Sequence, residues 1–148
     1  MSRFLLISVL LLSQGCVSRD TPKLVDFHFL IGKWHSVGTD LIEDWSLSND
    51  SLLSKSCITK NDSIVELDRS CIVQKGKMIY LYSHIAAVNK SANTYVLTYD
   101  SNEDKWVFRN DKVFPQVIYY ENRKDDSTIY SFAINNKDKL EFLFEKVN

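Results

Sequence analysis

Glycine and proline are scarce, at 4 and 2 in a chain of 148 residues. That excludes a collagen-like repeat and a Pro/Gly-rich low-complexity chain. Net charge is scarce too: 18 Lys and Arg against 19 Asp and Glu leave −1. The bulk charge therefore carries no nucleic-acid footprint, and no nucleic-acid partner is expected. Histidine occurs only as His28, His35 and His84, and neither an H-x-E-x-H nor a C-x-x-C spacing is present. Without such spacings the sequence points to no protein-built metal site and no cofactor. G-x-S-x-G, the P-loop and the dinucleotide fingerprint are absent as well, so no catalytic nucleophile can be named. Glu43-Asp44 and Asp125-Asp126 are adjacent carboxylates. Neighbours on a strand point to opposite faces, so neither makes an acid/base pair by itself. The length suits one domain and is too short for a nucleotide-binding domain with a separate substrate domain.

Only one long apolar run occurs, the nine residues from Phe4 to Leu12, interrupted only by Ser8, after the positive start Met1-Ser2-Arg3. Crossing ~30 Å of hydrocarbon takes a helix of about 20 residues, so this run is too short to span. It suits the apolar region of an export signal over residues 1–15. Ser13-Gln14-Gly15-Cys16 follows. A small residue before a cysteine at the end of such a run resembles the lipobox of bacterial lipoproteins. Ser13 stands where that box usually has Leu, with Leu12 one position back. The resemblance implies cleavage before Cys16, acylation of its thiol and amine, and a location in the bacterial cell envelope, at the outer membrane. Two or three acyl chains anchor stably, at about 0.8 kcal/mol per buried CH₂. The membrane is then a partner through Cys16, and residues 16–26 form the lipidated cysteine and a short tether.

From Phe27 to the end at residue 148 the chain reads as strands. Short β-branched and aromatic runs alternate with clusters such as Ser48-Asn49-Asp50, Lys60-Asn61-Asp62 and Lys75-Gly76-Lys77. This spacing predicts an all-β domain of about ten antiparallel strands joined by hairpins. An up-and-down sheet of that size closes into a barrel, because closure removes exposed edges. Leu24 to Leu30 is the one stretch with helical spacing and predicts a short helical turn ahead of the first strand.

Residues that break the apolar pattern carry the functional argument. Leu41, Glu43, Trp45 and Leu47 lie at spacing two, so Glu43 faces inward with Trp45. Arg69 sits likewise among Val65, Leu67, Cys71 and Val73, opposite a face of Glu66, Asp68 and Ser70. A buried carboxylate needs a partner or a proton, and a guanidinium cannot lose its proton. Glu43 and Arg69 are therefore expected to pair, either to fix strand register or to anchor a ligand; the alternative is that one of the two faces is assigned the wrong way round. His84 shares a face with Met78, Tyr80 and Tyr82, where it serves a ligand or the barrel's own hydrogen bonds. Cys57 and Cys71 are expected to remain thiols. A hairpin at Asn61-Asp62 sets residue 57 opposite about residue 66, roughly 16 Å short of residue 71 at ~3.3 Å per residue.

Phe29-Leu30-Ile31-Gly32-Lys33-Trp34, then Glu43-Asp44-Trp45, then Glu66-Leu67-Asp68-Arg69, and finally Phe114, Pro115, Gln116, Ile118 and Tyr120 form a set. Together they resemble an uncharacterised lipocalin-like, calycin-type bacterial domain family over about residues 27–147. The resemblance implies a barrel with Trp34 packed across its closed end. Asp111-Lys112-Val113 is shorter than the family's corresponding stretch, and the Pro after Asn110 is missing. The resemblance implies the fold and no particular activity.

Two readings of function follow. The first is a lipid-anchored module whose barrel binds a small, partly apolar ligand through Trp34, Glu43, Trp45, Arg69, Tyr80, Tyr82, His84, Gln116 and Tyr120. The second is an envelope scaffold with a filled barrel and a protein partner on its outer face, where the doubly apolar strand Met78 to Ile85 offers a surface. An enzyme is the weakest of the classes, since no reactive centre stands out.

Overall fold

The computed structural model describes residues 20–85, 91–123, 127–136 and 138–147. The export signal, Cys16 and the start of the tether lie outside these residues. A 3₁₀ helix, Leu24–Leu30, opens the fold. Ten strands follow: β1 (Gly32–Ser36), β2 (Leu41–Ser48), β3 (Ser51–Lys60), β4 (Ser63–Lys75), β5 (Met78–Ile85), β6 (Asn93–Asp100), β7 (Lys105–Arg109), β8 (Val117–Arg123), β9 (Thr128–Asn135) and β10 (Asp138–Lys146). Each pairs antiparallel with its sequence neighbours, and β1 pairs with β10, which closes the barrel. This is the closed up-and-down barrel that the strand spacing predicts, and it is consistent with the lipocalin-like fold that the resemblance implies.

Local chemistry sets the hairpins. At Asn61 and Asp62 both residues take positive φ, 51° and 58°. That two-residue turn matches the twist of the strands it joins, and Asn and Asp tolerate the left-handed region well. It pairs Cys57 with Glu66, as the spacing predicts. Cys71 pairs with Leu53 instead, and both thiols are free.

The helix plugs one end of the barrel. Asp26 Oδ2 accepts from the Lys23 N–H at 2.7 Å, which caps its first turn. Phe27 and Leu30 are buried against Trp34, Trp45, Leu52, Ile72, Leu81, Leu97 and Phe108. Burying a side chain such as Leu52 or Ile72 contributes about 1.5–3 kcal/mol each. Trp34 lies across this closed end, and its Nε1–H donates to the Leu30 carbonyl at 2.6 Å. Gly32 sits here at φ +131°, and a Cβ on it would come within 3.2 Å of Lys146 Cε. The backbone needs glycine at that approach.

Two expected faces are reversed. In β4 it is Asp68, Ser70 and Ile72 that turn inward, while Arg69 turns outward with 63% of its side chain exposed. Leu67, before the reversal, still lines the inside. The cause is a bulge: Cys57 pairs with Glu66 but Ser56 pairs with Asp68, leaving Leu67 as the extra residue. A two-residue period cannot be carried through that point. In β5, Ile79, Leu81 and Ser83 are buried inside. Tyr80, Tyr82 and His84 lie on the outer face, where Lys75 Nζ sits over both tyrosine rings.

A second apolar cluster, Val107, Val117, Tyr119 and Phe132, packs on the outside of β7, β8 and β9. Lys105 and Lys139 lie over the Tyr119 and Phe132 rings. Their aliphatic stems shield these rings while the ammonium groups stay wet.

A candidate ligand site at the barrel mouth

The end opposite the helix holds a cavity of about 230 Å³. Its apolar walls include Leu41, Leu67, Ile85, Ile118, Phe142 and Phe144. Its polar lining is Glu43, Ser56, Asp68, Ser70, Ser83, Tyr120 and Ser131. Strand pairing explains this layer. Glu43 on β2 is opposite Ser56 on β3, which is opposite Asp68 on β4. Ser70 pairs with Ser83, and Tyr120 with Ser131. All lie on the inner face, so small polar groups ring the mouth above the apolar plug.

Among the described residues, hydrogen bonds tie Glu43 and Asp68 into this ring. Glu43 Oε2 accepts from Trp45 Nε1–H at 3.0 Å. Asp68 accepts from the Ser70 hydroxyl at 2.8 Å and the Ser83 hydroxyl at 2.7 Å. Burial pushes the Glu43 carboxyl up to about 7, the Trp45 donor holds it back, and the charge of Asp68 adds to the rise. Burial, then the charges of Glu43 and Asp68, drive the Tyr120 phenol well above its usual value. The Tyr120 ring meets Trp45 edge-on at 5.6 Å between centroids. Deeper in, Tyr95 is fully buried and its hydroxyl has no partner of good geometry among the described residues. Burial raises its pKa, the Asn93 side chain lowers it, and the charge of Asp68 raises it again. No Lys, Arg or His lines the cavity among the described residues.

No family profile, curated protein or solved structure matches this chain. Geometry and chemistry therefore carry the functional argument. A larger depression of about 470 Å³ lies at the plugged end, between Thr21–Lys23 and the β4–β5 turn. The segment walling it leads straight into the undescribed residues 1–19, and no carboxylate lines it. The mouth cavity, walled almost wholly by paired strands, is the better-formed site.

Of the residues expected to bind a ligand, Glu43 and Tyr120 line the cavity, and Trp45 touches both. Trp34 belongs to the closed end. Arg69 does not meet Glu43: its guanidinium donates to Glu66 through Nε at 2.5 Å and Nη2 at 3.0 Å, on the outer surface. Tyr80, Tyr82 and His84 are outside the barrel, for the face reversal already described. Gln116 is a staple between loops. Its Nε2 donates to the Asp111 carbonyl at 3.2 Å, and its Oε1 accepts from the Asn136 N–H at 2.9 Å. Pro115, after a cis Phe114–Pro115 peptide, lines the mouth.

Sequence reasoning missed Asp68 and the inner serines. A readable pattern was present. In β3, Leu52, Ser54 and Ser56 hold alternate positions, so one inner face changes from apolar to polar along a single strand. That change marks a transition from core to cavity.

Proposed function

We propose that this protein is a lipid-anchored envelope module whose barrel mouth binds a small, partly apolar ligand. The observation carrying the reading is the mouth cavity, in which an apolar wall surrounds a few convergent polar groups. Ligand sites are built in that way, although most are larger, at about 300–1,000 Å³. The ligand is correspondingly small. The anchor rests on Cys16 at the end of the apolar run and on its resemblance to a lipobox. The lipocalin-like family resemblance supports the barrel on the same footing and carries no particular activity.

Native mass spectrometry of the protein released from its envelope tests the binding reading. A bound mass that disappears in Ala133→Phe, a substitution that fills the mouth, supports it. The same apo mass for both proteins counts against it. Labelling with an alkyne fatty acid tests the anchor: the label should be present in the parent and lost in Cys16→Ser.

The second reading, a scaffold, has one observation in its favour. The plugged half is filled by aromatic and aliphatic side chains. The outer face of β5 supports it less than its composition suggests, because Lys75 already covers Tyr80 and Tyr82.

A further inference from the structure

We infer that the mouth cavity selects a small organic cation, an amine on a compact apolar body, held by Glu43 and Asp68 beside Tyr120. This deepens the binding reading above and rests on it. Three observations point the same way.

The first is uncompensated charge. Glu43 and Asp68 both line the cavity, and no basic side chain among the described residues does so. Basic residues near them on β4 and β5 face away: Arg69 is tied to Glu66, and its paired residue His84 shares the outer face. The backbones of β2 and β4 stand about 10 Å apart, two strand spacings. Both side chains reach into the same cavity from these strands. The charge of Asp68 opposes ionisation of the buried Glu43, and a cation between them offsets that cost.

The second is spare acceptor capacity. An ionised carboxylate offers about four lone-pair directions. Trp45 supplies one donor to Glu43, and Ser70 and Ser83 supply two to Asp68. An ammonium group brings three donors to such a set.

The third is the wall. Leu41, Leu67, Ile118 and Phe142 are apolar, and about 230 Å³ holds a ring-sized body. A bare metal ion fits less well: no group of three or more His, Cys, Asp and Glu able to hold one occurs among the described residues.

The inference predicts a pH dependence. The groups facing Glu43 are Asp68 on β4, Tyr120 on β8 and the Trp45 indole on β2, with Ser56 on β3 and the uncharged Ser131, Phe142 and Phe144 on β9 and β10. A cation binds the ionised form of Glu43, whose carboxyl sits at about 7. Affinity should rise about tenfold from pH 6 to pH 8 as that carboxyl ionises.

The test uses benzylamine, which stays protonated across this range, against the neutral isostere benzyl alcohol. Both are titrated into the protein and followed by amide chemical shifts. Benzylamine should saturate with shifts centred on Glu43, Asp68, Ser83 and Tyr120, and bind more tightly than benzyl alcohol. Glu43→Gln and Asp68→Asn should each weaken benzylamine about tenfold and weaken benzyl alcohol by a much smaller factor. Equal binding of the two probes, or benzylamine binding indifferent to both variants, overturns the cation inference and leaves a neutral binder. No mouth shifts with either probe overturns the inference and counts against the cavity as a site. Should a variant fail to fold, the parent's pH profile still decides: benzylamine affinity that does not rise between pH 6 and pH 8 overturns it.

Discussion

Glu43 and Asp68 face one cavity from strands β2 and β4, with only Ser56 of β3 between them in register. Neither meets a basic side chain there among the described residues. The pair that balances Arg69 is local and exposed, with Glu66. Interior charge and surface charge are therefore separate systems, and they should respond differently to mutation.

Glu43 should cost stability at high pH. Its carboxyl rises from 4.5 to about 7 on folding. Between those values the folded protein holds a proton that the unfolded chain has released, so stability falls as pH rises. The cost is absent below pH 4.5 and complete above about 7, where it reaches roughly 3 kcal/mol. Glu43→Gln keeps an acceptor for Trp45 and removes the charge. Thermal melts should show little difference between variant and parent at pH 4, and a clear gain for the variant at pH 8.

Arg69→Ala should leave the melting temperature and the barrel unchanged, because an exposed ion pair contributes little. A large loss of stability would mean that the guanidinium serves the interior after all.

Trp34→Ala should destabilise by about 3–5 kcal/mol in urea unfolding, through the cavity left in the plug. Trp34→Phe retains much of the volume but loses the donor to the Leu30 carbonyl, and should cost about 1–3 kcal/mol.

Gly32→Ala should destabilise by about 1–3 kcal/mol, since it forces a positive φ on a side chain that also presses on Lys146. Removing the obstruction with Lys146→Ala should recover only the steric share, a partition that a double-mutant cycle in urea would measure.

Gln116→Ala should loosen two loops together. Hydrogen exchange at the Asn136 amide, which donates to Gln116 Oε1, should accelerate while core amides such as that of Leu81 keep their protection.

The barrel was legible because hairpin chemistry and alternation are local. Asn61-Asp62 announces its turn, and Leu140, Phe142 and Phe144 keep to one face. Leu24 to Leu30 shows its helical spacing directly. Glu43 was legible as an inward acid from its place between Leu41 and Trp45. Its supposed partner was not, because a single extra residue at Leu67 reverses the face on which Arg69 lies. Tyr80 and Tyr82 misled for another reason. Aromatic rings read as core, yet a lysine stem from the adjacent strand can cover them on the outside. Asp68 was hidden by the rule that acids face water, which fails where the inner face itself borders a cavity.

The helix that plugs the barrel also fixes which pole the chain enters. Asp20 is the first described residue, and Leu24 N–H donates to Gln74 Oε1 near the β4–β5 turn, at the plugged pole. Only four peptide steps separate Cys16 from Asp20, at most about 14 Å of extended chain. A lipid on Cys16 would tether the barrel from the plugged pole, the end opposite the mouth. The opening would then lie at the pole away from the tether's point of attachment.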